Sequence, residues 1–278
     1  MQTHSNNINT AMTKLSTLIG SRRTWAWPYI LFLVLFVLLP LLLIVIYAFQ
    51  DSQGQFTVQN FVKFFTTSEA VNTFIYSLAI ALITTIICLL LGYPAAYVMA
   101  MAEYRTPQVM AMLFILPMWI NFLLRTLATV ELFNMFSIPL GEGALLFGMV
   151  YDFLPFMIYP IYNTLQKMDR SLIEAAHDLG ANRREVFTKV ILPLSTSGIY
   201  SGIIMVFMPT VSTFAIAELL THNKITLFGS LIQRSFGEGG LTMWNYGAAL
   251  SLIMLIIIGL TSFFGQSNEE DTGRGNLL

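Results

Sequence analysis

Ile30 to Phe49 is a run of twenty residues without a single charge. A helix needs about 20 apolar residues to cross the hydrocarbon core of a bilayer. A cleavable leader has a shorter apolar region, about 7–15 residues, that ends in small residues. This run ends in Tyr-Ala-Phe-Gln and is preceded by Trp25 and Trp27, ring types that favour a membrane interface. It is therefore expected to be a retained span. Five further runs follow the same logic: 72–100 with Pro94; 109–131 with Pro117, Trp119, Asn121 and Arg125; 144–165 with Asp152, Pro155 and Pro160; 197–218 with Gly198, Gly202 and Pro209; and 245–264. Only 10% of the residues are charged, against about 25% in an ordinary soluble domain. The expected fold is an all-α membrane protein, with one six-span domain over 25–265 between polar tails at 1–24 and 266–278.

An even number of spans puts both termini on one side, and the excess of Lys and Arg marks that side as cytoplasmic. With a cytoplasmic N-terminus the inside carries Lys14, Arg22, Arg23, Arg105, Lys167, Arg170, Arg183, Arg184, Lys189 and Arg274. The outside carries Lys63, Lys224 and Arg234, and Arg125 falls within a span. The link between the fourth and fifth spans is thus expected in the cytoplasm.

That link, Lys167 to Pro193, holds nine charges in 27 residues. Its pattern predicts two short helices. Ser171 with Glu174 reads as a capping box, and Asn182 with Glu185 as a second. Gly180 fits the left-handed position that closes a helix, and Pro193 is expected to end the second helix. Val186, Phe187, Val190 and Ile191 form an apolar stripe that fits the bundle better than a soluble partner. The link is either a docking element or a well-capped connector.

No recognisable catalyst is present. There is no phosphate loop and no H-E-x-x-H, and His4, His177 and His222 have no cysteine cluster to join on a metal. Cys88, the one cysteine, lies in an apolar run and reads as a core residue. The net charge of −1 offers no basic face for nucleic acid. The chain is read as a non-enzyme that binds no cofactor or metal.

Glu174-Ala175-Ala176, Gly180 and Ile191-Leu192-Pro193 give E-A-A-x-x-x-G-x(10)-I-L-P. This resembles the EAA motif of ABC importer inner-membrane permeases, which depend on a binding protein. The resemblance implies that Glu174, Ala175, Ala176, Asp178 and Gly180 belong to a coupling element, 171–192, that enters a groove on a separate ATPase dimer. ATP and Mg would be bound on that partner. It also implies an extracytoplasmic binding protein facing loops 50–71 and 219–244, and surrounding lipid. The stretches Leu91–Pro94, Leu116–Trp119 with Asn121 and Arg125, Leu154–Met157 and Leu172–Gly180 resemble the spermidine/putrescine permease group, which implies a second, PotC-like permease subunit. They are shared in part with permeases for thiamine, ferric iron, phosphonates and sulfate.

A flexible polycation calls for carboxylates and aromatic faces along its path. Asp152, Glu131, Glu218 and Trp119 are the candidates. Each has a structural alternative. Asp152 can pair with Arg125, the two glutamates can be solvated helix ends, and Trp119 can be bundle packing. The prolines and glycines within spans permit bent helices that rearrange.

Overall fold

The computed structural model describes residues 22–101, 107–237 and 240–275. The expected N-terminal tail, apart from its last residues, and most of the Glu103–Gln108 link lie outside them. The described residues are helical, with one isolated bridge between Gln50 and Phe56. In chain order the helices are α1 Arg22–Leu33, α2 Leu39–Ala48, α3 Gln59–Thr66, α4 Ser68–Met101, α5 Pro107–Ile115, α6 Phe122–Met135, α7 Glu142–Gln166, α8 Arg170–Asp178, α9 Arg183–Val186, α10 Thr196–Ser212, α11 Ala215–Thr221, α12 Phe228–Gly237 and α13 Gly240–Gly275.

Four stretches cross a bilayer by length and composition: Ala26–Ala48, Ser68–Met101, Glu142–Gln166 and Met243–Ser262. Counting each of two bent pairs as one span raises the number to six. The third expected span is not one helix. After α5 a tight 3-10 turn, Leu116–Trp119, ends at Ile120 in extended backbone, and α6 leaves at 96°. Pro117 starts that turn, and Asn121 restarts the chain by accepting Leu123 N–H on Oδ1 at 2.8 Å. The fifth span is also shorter than expected. It stops at Ser212, and α11 begins at Ala215. The last helix continues through Gly275, so the backbone shows no break at 265.

α4, α7 and α10 form the centre. Small residues let their axes approach, as membrane bundles require. A methyl added at Gly202 would meet Met157 Sδ at 2.7 Å, and one at Gly198 would meet Thr164 Oγ1 at 2.6 Å and the Pro160 carbonyl at 2.9 Å. Cys88, Ala96, Met157, Ile161 and Val206 are wholly buried between these helices. The first span is peripheral. Its side chains are exposed along most of its length, and it packs on α13 at its C-terminal end, where Ile44, Ala48 and Phe49 meet Ala248 and Ala249. Asn60 Nδ2 covers the free carbonyls there, donating to Ala48 at 3.0 Å and to Gln50 at 2.9 Å.

Candidate functional site

The charged link folds as two capped helices joined at Gly180. Its first cap is not the expected one. Asp169, not Ser171, is the N-cap, its Oδ1 accepting Ser171 N–H at 2.9 Å. A carboxylate two residues upstream is the stronger acceptor, so α8 starts at Arg170 and Ser171 falls inside its first turn. The other end matches expectation. Gly180 has φ +86°, Ala181 N–H returns to the Ala176 carbonyl at 3.0 Å, and Gly180 N–H returns to His177 at 2.9 Å. These two bonds are the Schellman closure, and they need a residue comfortable at positive φ. Asn182 and Glu185 form the expected reciprocal box, with bonds of 3.0 Å in each direction. Hydrogen bonds hold both capping carboxylates low: the backbone N–H of Ser171 keeps Asp169 below the usual aspartate range, and that of Asn182, with Lys189, keeps Glu185 below the usual glutamate range.

Pro193 does not end the second helix. The chain passes it through a π turn, Phe187–Ile191, and a short helical piece, Leu192–Leu194, before bending by 59° into α10. The wide turn accommodates a proline that has no N–H to give. The apolar stripe faces the bundle. Val186 and Ile191 are buried, and Phe187 sets its ring edge-on to Tyr93 and Tyr97 of α4 at 5.9 and 5.4 Å. At the bend, buried Ser195 Oγ lies 3.0 Å from Tyr93 OH.

The five motif residues of α8 and its closure divide by face. Ala176 packs inward with Ile173 against the core. Glu174, Ala175, Asp178 and Gly180 are exposed. Leu179 is 89% exposed, which leaves a large apolar side chain at the tip of a polar element. Sequence reasoning missed it, although a leucine directly before the helix-closing glycine was the available signal. Glu174 also borders a groove of about 330 Å³ with Arg170, His177, Arg183, Tyr97 and Met101.

The second site is a cleft of about 660 Å³ at the break between α5 and α6. Trp119, Phe122, Phe153, Phe156 and Phe214 contribute aromatic walls, and Arg125, Ser212 and Thr213 contribute polar groups. Trp119 is 87% exposed, so it is not bundle packing within this chain. Asp152 does not line the cleft. It is 1% exposed and forms the alternative expected for it, an ion pair with Arg125, Oδ1 to Nε at 3.2 Å. Thr126 Oγ1 donates to Asp152 Oδ2 at 3.0 Å, and Arg125 Nη2 donates to the Asp152 carbonyl at 3.3 Å. Arg125 also sits 5.8 Å from the Tyr151 ring. The pair pins α6 to α7 just behind the break. Glu131 is exposed on α6, and Glu218 is half-buried in the first turn of α11; neither borders the cleft. Among the described residues no group of His, Cys, Asp and Glu could hold a metal.

Residues 92–268 match the family described as binding-protein-dependent transport system inner membrane component. The spermidine/putrescine transport system permease protein PotB of Escherichia coli (strain K12) is 34% identical over 251 residues, covering 82% of this chain and 90% of that protein. The protein of the same name from Haemophilus influenzae is 34% identical over 254 residues, covering 83% and 88%. Among solved structures, a bacterial ABC transporter importing the acidic polysaccharide alginate matches with TM-score 0.62 at 13% identity, over 94% of this chain and 98% of that one. The MetNI methionine ABC transporter in inward-facing form matches with TM-score 0.59 at 18% identity, over 73% and 95%. The matched region contains both the charged link and the cleft.

Proposed function

Because this chain belongs to the family of binding-protein-dependent inner-membrane transport components, we propose that it is one permease half of an ATP-driven polyamine importer. One observation carries the substrate class: the 34% identity, over 82% of the chain, to permeases named for spermidine and putrescine. The aromatic cleft supports it, since ring faces attract ammonium groups and tolerate a flexible chain. No carboxylate lines the cleft; Asp152 lies behind it, paired with Arg125. Counter-charge for the polycation is then assigned to the second permease across the shared pathway, with Glu218 and Glu131 at its approaches.

In this reading the charged link lies in the cytoplasm, as its Lys and Arg content argues. α8 enters a groove of the ATPase with Glu174, Ala175, Asp178 and Leu179 outward. Ala176 and the Val186–Ile191 stripe tie it to the bundle. Gly180 sets the angle between the two helices. Closure of the ATPase dimer on ATP and Mg pushes α8, the continuous path through the π turn carries the push to the Ser195 bend, and α10 shifts against α4 and α7. The binding protein delivers substrate from the opposite side.

Reconstitution in liposomes with an ATPase, a second permease and a binding protein tests this. Saturable uptake of radiolabelled spermidine that requires ATP is expected. Uptake that proceeds without ATP, or ATP-driven uptake of thiamine or sulfate with spermidine ignored, refutes it.

A further inference from the structure

The groove beside the charged link holds two cations without partners. Arg170 opens α8 and Arg183 opens α9, and both line a space of about 330 Å³. Among the described residues the ion pairs are Arg125–Asp152 and Lys189–Glu185, so neither arginine has a carboxylate partner. Glu174 lines the same groove and pairs with neither. Two guanidinium groups against one carboxylate leave the groove cationic. Its volume is at the small end of the range for ligand pockets, about 300–1,000 Å³.

The groove uses one face of α8. Arg170, Ile173, Glu174 and His177 stand at i, i+3, i+4 and i+7. Ala175, Asp178 and Leu179 do not border it, so the docking face and the groove face are different, with Glu174 between them. Ile173 and the buried Val186 and Ile191 give the groove an apolar base. Its other wall is Tyr97 and Met101, in the last turns of α4. α4 has 34 residues, about 51 Å of helix, against about 40–45 Å for a bilayer with its headgroups. Its last turns therefore reach the headgroup layer, and the groove they wall lies at that level.

We propose that this groove binds the phosphate of an anionic phospholipid headgroup from the cytoplasmic leaflet. That leaflet carries the negative surface potential, and basic pockets between helices on the cytoplasmic side take such headgroups. The planar guanidinium fork matches phosphate oxygens in pairs. Arg170 and Arg183 lie on either side of Gly180, so one headgroup held by both bridges α8 and α9 across that joint. The inference rests on the cytoplasmic placement of the link and on no particular substrate.

The test compares neighbouring arginines. The complete permease–ATPase complex in neutral detergent is titrated with phosphatidylglycerol and, separately, with phosphatidylcholine, and lipid-bound species are counted by native mass spectrometry. Phosphatidylglycerol should bind at least about tenfold more tightly. Arg170→Gln and Arg183→Gln should each weaken its binding about fivefold, the factor for one cation at an anionic surface. Arg184→Gln is the control. Arg184 follows Arg183 but does not line the groove, and its loss should change binding by less than about twofold. An equal loss in Arg184→Gln overturns the inference in favour of general surface charge. Displacement of the lipid by millimolar inorganic phosphate overturns it in favour of a soluble phosphate ligand. Binding that ignores all three arginines also overturns it, as when an ATPase side chain fills the groove. None of these outcomes is read from spermidine uptake, so polyamine import stands or falls on its own assay.

Discussion

Asp152 is the residue on which two accounts of this chain make opposite predictions. As a path carboxylate it would be worth transport; as the partner of Arg125 it is worth stability. Both side chains are almost wholly buried, at 5% and 1% side-chain exposure, within 3.2 Å of each other. Removing one member of such a pair costs about 3–5 kcal/mol, because the survivor is left charged in a low-dielectric setting. The lower end applies here. Arg125 Nε and Nη1 and Asp152 Oδ1 complete no hydrogen bond despite the ionic contact, so the pair is less than fully satisfied. For a chain of this size about 3 kcal/mol corresponds to a fall in Tm of roughly 6–12 °C. Asp152→Ala should show that fall in a fluorescence-detected thermal denaturation of the purified complex. Arg125→Met with Asp152→Leu should regain most of it, since apolar replacement of a whole buried pair is often neutral or better. Transport by the double variant should then exceed that of Asp152→Ala. An Asp152→Ala variant that keeps its wild-type Tm but imports no polyamine would refute the pair and return Asp152 to the path.

Gly180→Val forces a β-branched residue to φ +86°, a cost of about 1–3 kcal/mol concentrated at the joint between α8 and α9. ATPase stimulation by loaded binding protein should fall, with a drop in Tm of about 2–4 °C for each kcal/mol of that strain. Gly198→Ala places a methyl 2.9 Å from the backbone carbonyl of Pro160, which cannot swing aside; overpacking of about 1–3 kcal/mol is expected, read as a lower Tm. The caps also set a pH dependence. Asp169 and Glu185 titrate below their ordinary values, so their contribution is present above the unfolded-state values, near 3.9 and 4.3, and is lost as pH falls through the lower folded ones. Hydrogen exchange over 169–187, corrected for intrinsic rate, should show protection that is steady from pH 7 to 5 and declines below about 4.

The parts of this chain legible in its sequence are those ruled by local chemistry. Twenty uncharged residues need no neighbour to declare a span. Asn182 with Glu185 and Gly180 before Ala181 find their partners within a turn, and the structure places them as the pattern requires. Asp169 shows the limit of even this reasoning. Two acceptors, Asp169 and Ser171, compete for one helix start, and motif matching favoured the familiar box over the stronger acid. The 96° break after Trp119 was harder to foresee. Pro117 permits a kink as readily as a break, and Asn121, the N-cap that restarts the chain, reads in isolation as one polar residue within an apolar run.

What decides for a break is remote. Arg125 must reach Asp152 of α7, and Thr126 must reach its second oxygen, which fixes the first turn of α6 against another helix 26 and 27 residues further along the chain. Sequence placed the two charges in neighbouring spans and left their pairing open. The pair sits on the first turn of α6, just past the 96° break at which the cleft lies. Asp152, a candidate to meet a cation directly, instead pairs with Arg125, the charged residue that borders the cleft.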